Sequence, residues 1–258
     1  MEISLAGRSA LVTGGSKGIG FAIASRFAGS GADVAIVARG RETLDEAVKA
    51  VGAKARGKVA GFTGDVAKAA DIERIHGEIM KAFGKIDIVV NNAGTSATSP
   101  FEKLTDDFLQ HDLDQKLFAA LRFTRLVWPQ MKERKWGRII NVLNIGAKAP
   151  RGGSAPTSIS RAAGMALTKV LSHEGAPHNI LVNAMLVGFI EADQHVQAAK
   201  KAGVELKDYI AARAKEIPLG RIGKAEEFAN LACFLVSDQG SYITGTAINV
   251  DGGRSPVV

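Results

Sequence analysis

The 258-residue chain is 46% hydrophobic and 23% charged, enough to bury one full α/β core, and it carries no internal repeat or low-complexity tract. Thirty-three basic against 26 acidic side chains give a net charge of +7, which either favours anionic partners such as phosphorylated cofactors, coenzyme A esters or carrier proteins or, as the stronger reading, reflects solvated faces. Clusters such as Lys54-Ala55-Arg56-Gly57-Lys58 fall at element ends without a nucleic-acid motif, so nucleic acid is excluded as a partner. No apolar run approaches the roughly 20 residues that span a bilayer, and the first strand begins too early for a signal peptide, so the reading is a soluble, cytoplasmic protein.

In chain order, the apolar run Ala10-Leu11-Val12 reads as a strand that turns through Thr13-Gly14-Gly15-Ser16-Lys17-Gly18-Ile19-Gly20 into a helix. That arrangement is a phosphate cradle. Gly14 supplies unusual backbone angles, Gly18 lets a pyrophosphate approach the main chain, and Gly20 lets helix and strand pack closely. The helix N-terminus offers free N–H groups and a positive dipole end to the anion. Further strand-like runs, Asp33 to Arg39, Ile86 to Asn91, Gly137 to Val142 and Ile180 to Met185, alternate with helical stretches. This pattern predicts a parallel sheet covered on both faces. The single cysteine, Cys233, sits in Leu231-Ala232-Cys233-Phe234-Leu235 and reads as an inert buried thiol.

The spacing Thr-Gly-x-x-x-Gly-x-Gly resembles the short-chain dehydrogenase/reductase family, and further stretches of that pattern recur in order. They are Gly64-Asp65-Val66, Asn91-Asn92-Ala93-Gly94, Pro218-Leu219-Gly220-Arg221-Ile222-Gly223, Tyr242-Ile243-Thr244-Gly245 and Asn249-Val250-Asp251-Gly252-Gly253. The resemblance implies an α/β fold, one Rossmann-type doubly wound parallel sheet with helices on both faces, forming a single domain over 1–258 with a substrate lid at 189–216. It also implies a nicotinamide cofactor. The second strand ends with Ala38 where an acidic residue would hold a free ribose, some 20 residues past the loop. Arg39 just after it and Lys17 within the loop are the family's signals for a 2′-phosphate, which points to NADP(H). By the same resemblance Gly14, Ser16, Lys17, Gly18, Ile19 and Gly20 hold the phosphates, and Asp65 and Val66 flank the adenine. Asn91, Ala93 and Gly94 line the path to the nicotinamide, Arg161 holds ribose hydroxyls, and Gly188 lies beside the nicotinamide. The Asn91-Asn92-Ala93-Gly94 stretch has a structural alternative, in which its amides tie neighbouring strands together.

Members of the family reduce carbonyls with a tyrosine four residues before a lysine, a serine 13 residues upstream of the tyrosine, and an asparagine on the preceding long helix. The matching segment here is Thr157-Ser158-Ile159-Ser160-Arg161, so the tyrosine place holds Thr157 and the lysine place Arg161. Asn144 stands at the serine place and Lys116 at the asparagine place. Thr157 has no titration near neutral pH and cannot act as the phenol does, whereas Arg161 stays charged and holds ribose hydroxyls or clamps a carboxylate. The usual Pro-Gly-x-x-x-Thr beside the nicotinamide is replaced by Val187-Gly188-Phe189-Ile190-Glu191-Ala192. Of the two tyrosines, Tyr242 belongs to the C-terminal packing motif, and Tyr209 lies in the lid as a candidate substitute acid.

Every departure clusters at the reacting end, while the phosphate cradle persists. Three readings follow. The first is an NADP(H)-binding oxidoreductase with altered acid/base machinery in Lys116, Asn144, Thr157 and Arg161, acting on a carbonyl or alcohol that is anionic or resembles an acyl-CoA. A nonredox lyase or isomerase based on Lys116 is a variant of it. The second is a noncatalytic NADP(H)-binding protein or silent oligomer subunit, and the third a reductase that recruits Tyr209. Lys116 itself reads either as a pocket amine with a lowered pKa or as an exposed residue paired with Asp112 one turn back. No metal is expected. The segments 105–134 and 155–174 resemble the family's dimer-forming helices, which implies a homodimer or homotetramer.

Overall fold

The computed structural model describes residues 2–191 and 193–258. Alternation of strand and helix begins with β1 (Ser9–Thr13), α1 (Gly18–Gly29), β2 (Asp33–Ala38), α2 (Arg41–Gly52), β3 (Val59–Thr63), α3 (Ala69–Phe83) and β4 (Ile88–Asn91). A two-residue strand, β5 (Thr98–Ser99), precedes α4 (Asp106–Leu113), which runs through a π-helical turn (Asp114–Phe118) into α5 (Ala119–Arg134). Then come β6 (Gly137–Asn144), a second short strand β7 (Ala155–Pro156), α6 (Thr157–Gly175) and β8 (Ile180–Val187). The chain ends with α7 (Asp193–Ala202), α8 (Leu206–Ala214), α9 (Ala225–Val236) and β9 (Ala247–Val250).

Seven strands pair in the order β3-β2-β1-β4-β6-β8-β9, every pair parallel. Period-2 alternation splits the strands' side chains between two cores, as a sheet covered on both faces requires. Ala10 and Val12 of β1 join Ile36, Val90 and Ile140 under α1 and α9, with Phe27, Phe228 and Leu235 as the large fillers. Leu11 points the other way and meets Val37, Val89 and Ile139, covered by Ile72, Ile75 and Ile79 of α3 and Phe123, Val127 and Met131 of α5. The chain order reverses between β1 and β4, so a crevice opens at the C-terminal ends of these strands, where ligands of such sheets bind.

The fold is the expected one, with differences at element ends. β6 and β8 each run two residues beyond the predicted runs, because Asn144 and Val187 still pair across the sheet edge. The predicted helix over 155–174 starts at Thr157, since Ala155 and Pro156 pair antiparallel with Ser99 and Thr98. Cys233 is buried as expected, and burial pushes its thiol upward. Tyr242 departs from expectation: the residue is fully exposed. Among the described residues no helix is long and apolar enough to cross a membrane.

Gly14 adopts φ +65° at the end of β1, and a Cβ on Gly20 would overlap the Gly14 carbonyl oxygen. The strand-to-helix turn therefore closes only without a side chain at position 20. Gly20→Ala is expected to cost about 1–3 kcal/mol through overpacking, measured as a lowered urea midpoint; an unchanged midpoint would contradict this close approach.

Candidate active site

The crevice is built first by Thr13 and the asparagine stretch. Thr13 Oγ1 accepts the backbone N–H groups of Asn92 and Ala93, each at 3.0 Å, and the Asn92 amide donates to the carbonyls of Thr13 (2.9 Å) and Gly14 (3.2 Å). Asn91 donates to Asn141 at 2.9 Å, and Asn141 donates to Thr168 on α6 at 2.9 Å. These bonds knit β1, β4, β6 and α6 together, the structural alternative raised for this stretch. The Asn91 Oδ1 atom is buried and without a hydrogen-bond partner.

The glycine turn leans on β2, with Gly14 N and Gly15 N both donating to the Val37 carbonyl. Helix α1 starts at Gly18 with no side-chain cap and no acidic residue in its first turn. Its positive end is thus available to an anion, and Ser16 and Ile19 flank it. Lys17 is exposed at the helix start, and Arg39 is exposed just past β2 with no ion pair among the described residues. The Asp65 carboxylate accepts the Ala67 N–H at 3.0 Å and so shapes its own turn, while Val66 joins the α3-side core.

At the other end of the crevice lies a buried polar chain. The Lys116 ammonium, in the π-helical turn, donates to the Asp112 carboxylate and, at 2.8 Å, to Thr157 Oγ1. Ser160 donates to the second Asp112 oxygen at 2.6 Å, and the Ala97 N–H donates to Thr157 Oγ1 at 2.8 Å. Asp112, Lys116, Thr157 and Ser160 are 2%, 6%, 3% and 1% exposed. Burial pushes the Lys116 ammonium down to about 8, with Asp112 opposing that shift and Arg161 adding to it. The pairing of Lys116 with Asp112 is as read from the sequence, but the exposed alternative is overturned. Both residues face inward because α6 lies over them, with Thr157 and Ser160 bonded to the pair and Gly94 close to the lysine stem.

Arg161 donates to the Val142 carbonyl at 2.6 Å, and burial pushes it down to about 10, so it remains cationic near neutral pH. Gly94 fits between the two cations. It adopts φ +151°, and a Cβ there would stand 2.9 Å from Arg161 Nη2 and 3.1 Å from Lys116 Cγ. Asn144 ends β6 opposite Val187 in register, with its Oδ1 buried and unpartnered. Gly188 follows directly, and a Cβ on it would press against Asp251. The place of the family threonine, Ala192, lies outside the described residues. Tyr209 on α8 stacks its ring 5.2 Å from the Arg213 guanidinium, which also faces Phe189, and Glu216 bridges Arg213 and Arg254. Among the described residues no cluster of His, Cys, Asp and Glu could hold a metal.

Asp112 and Ser160 belong to this cluster but are not among the residues singled out by motif. A signal for them exists. The core stripe of α5, Met131, Val127, Phe123, Ala120 and Ala119, continued backwards at helical spacing lands on Lys116, Gln115 and Asp112. On α6 the buried face is Thr157, Ser160, Gly164, Thr168, Ser172 and Gly175, a run of small residues that lets polar groups approach.

The family model described as Enoyl-(Acyl carrier protein) reductase matches residues 14–255. The chain belongs to the short-chain dehydrogenase/reductase family. It is 34% identical over 253 residues to a 3-oxoacyl-[acyl-carrier-protein] reductase of Aquifex aeolicus, covering 98% of this chain and 99% of that one. It is 35% identical to an acetoacetyl-CoA reductase of Shinella zoogloeoides, covering 96% and 98%. An L-sorbose reductase from Gluconobacter frateurii, solved with NADPH and L-sorbose, is similar over 100% of both chains, with a TM-score of 0.96 and 33% identity.

Removing one partner of a buried ion pair strands the other. Lys116→Met is expected to lower unfolding free energy by about 3–5 kcal/mol, and adding Asp112→Leu to recover most of that loss in urea titrations. A single variant as stable as the parent would contradict the pairing.

Proposed function

We propose that the protein is an NADP(H)-dependent oxidoreductase acting on a carbonyl or alcohol, in which Lys116 replaces a tyrosine as the ionisable group beside the reacting oxygen. The observation that carries this reading is the buried Lys116 ammonium, held between the Asp112 carboxylate and the Thr157 hydroxyl with its pKa lowered to about 8. A proton donor is most effective when its pKa lies near the operating pH.

The residues present fit the cofactor. The uncapped start of α1, with Gly14, Ser16, Gly18, Ile19 and Gly20 around it, would receive the pyrophosphate. Lys17 and Arg39 would hold the 2′-phosphate, and Asp65 and Val66 the adenine. Asn91, Ala93, Gly94, Arg161 and Gly188 would line the way to the nicotinamide. When bound, NADPH supplies the hydride. This chain's own part is to fix the substrate oxygen near Thr157 and Asn144, to oppose the developing negative charge with Lys116 and Arg161, and to return a proton to that oxygen. The names of the relatives support an acyl-thioester or polyol carbonyl, and the net charge of +7 favours an anionic one. The segment 189–216 would act as the lid over a single domain, with Tyr209 packing on the substrate.

A second reading is a noncatalytic NADP(H)-binding subunit. The observation favouring it is that Thr157 and Lys116 are both buried, 3% and 6% exposed.

Stopped-flow mixing of the NADPH-bound protein with acetoacetyl-CoA, L-sorbose and small ketones separates the two. Carbonyl-dependent oxidation is expected, falling by about 10²- to 10⁴-fold in Lys116→Met/Asp112→Leu; binding without oxidation would favour the silent subunit. By calorimetry NADPH should bind more tightly than NADH, and Arg39→Asp should weaken NADPH alone, by about 10- to 100-fold for a charge-assisted contact. Equal affinity of the parent for both would remove the 2′-phosphate assignment. Leu113, Leu117, Leu121, Met165 and Leu167 are half-buried, and Ile159 and Val170 on α6 are exposed. Light scattering is expected to report a dimer or tetramer, and a monomer at micromolar concentration would contradict it.

A further inference from the structure

We infer that Asp112, Lys116 and Thr157 form a proton relay, in which Thr157 delivers its hydroxyl proton to the substrate oxygen, Lys116 replaces it, and Asp112 positions and charges the lysine. The inference deepens the proposed oxidoreductase reading and rests on it. Thr157 alone is a poor acid, but its bonding in this structure is unusual. Its Oγ1 accepts from Ala97 N and from Lys116 Nζ, each at 2.8 Å, so both lone pairs are taken. No acceptor for its own O–H proton is present among the described residues, and the hydroxyl is therefore locked as a donor. An alkoxide forming beside it would be the missing acceptor.

The proton count closes. As the alkoxide takes the Thr157 proton to become an alcohol, Thr157 takes one from the Lys116 ammonium, and a neutral amine is left beside the Asp112 carboxylate. Solvent then recharges the amine. The oxidation direction runs the same path backwards, with neutral Lys116 receiving the proton. Because no charged threonine alkoxide need accumulate, the aliphatic hydroxyl serves as a conduit and not as an acid in its own right.

Asp112 is the positioning residue. It lies on α4 one turn before the lysine, and Ser160 on α6 fixes its other oxygen at 2.6 Å. The charged groups that face Lys116 are Asp112 from its own helix and Arg161 from α6, acting in opposite directions. Neutralising Asp112 leaves Arg161 unopposed, so the ammonium should lose its proton at lower pH. For carbonyl reduction, which consumes the charged lysine, the alkaline limb of the rate profile moves down with it. The alcohol oxidation limb, which needs the neutral amine, moves down as well and so favours oxidation at lower pH.

The test pairs a titration with kinetics. Lysine labelled with ¹³C at Cε is followed by NMR in the whole protein, with the Lys116 signal assigned from its loss in Lys116→Met/Asp112→Leu. NADPH oxidation by acetoacetyl-CoA and L-sorbose is recorded over the same pH range. Asp112→Asn, nearly isosteric, is expected to lower the Lys116 midpoint by at least one pH unit, a tenfold change, and to move the reductive limb equally. Thr157→Val is expected to reduce turnover by about 10²- to 10⁴-fold, with Thr157→Ser recovering most of it, since only the hydroxyl matters. The threonine pair keeps the test open if Asp112→Asn does not fold. A Lys116 midpoint unmoved by Asp112→Asn, or full turnover in Thr157→Val, overturns the relay in an enzyme that still oxidises NADPH. A parent protein that binds NADPH but oxidises none with any probe overturns the oxidoreductase reading and the relay together.

Discussion

An ammonium taken out of water must be met by a carboxylate, and the buried pairing of Lys116 with Asp112 organises the polar chain at one end of the crevice. The pair joins α4 to the π-helical turn that follows it. Ser160 and Thr157 bring in α6, and Ala97 brings in the loop that leads to the β5–β7 ribbon. Four separate segments thus depend on one charge being compensated. A network of this kind gains rigidity when each member is satisfied and is costly when one is missing, because the low dielectric that strengthens the bonds also raises the cost of a stranded group.

The cofactor end follows a different physical logic. Its parts are the backbone turn at Gly14, the close approach at Gly20 and the bonds from Thr13 and Asn92, which hold strands and helix in place through main-chain atoms. Main-chain geometry is insensitive to which side chains stand some distance away. The buried polar chain around Lys116 and Thr157 can therefore differ without disturbing the glycine turn. Fold and site chemistry are separable here, as they are in general.

The π-helical turn and the small-residue face of α6 let these buried polar side chains meet. Without a Cβ, Gly164 lets the helix approach the Leu143 side chain of β6, and Gly94 leaves room for the side chains of Lys116 and Arg161. Two cations share one end of the crevice because each has its own oxygen partner, Asp112 for the lysine and the Val142 carbonyl for the arginine. Their mutual repulsion is left to act on Lys116, the one of the two whose proton can leave near neutral pH.

Much of this was legible in the sequence because it rests on local chemistry. The strand-turn-helix at Thr13 to Gly20 follows from glycine spacing, the parallel sheet from apolar runs alternating with helical stretches, and the pairing of Lys116 with Asp112 from their four-residue interval. The exposure of Tyr242 and the burial of Lys116 do not follow from local pattern, since each depends on what covers the residue in three dimensions. An Asp and a Lys four residues apart on a helix look the same in sequence whether solvent or another helix lies over them. Only packing against α6 removes the water, lowers the lysine's affinity for its proton and brings Thr157, 41 residues away in the chain, within hydrogen-bond reach.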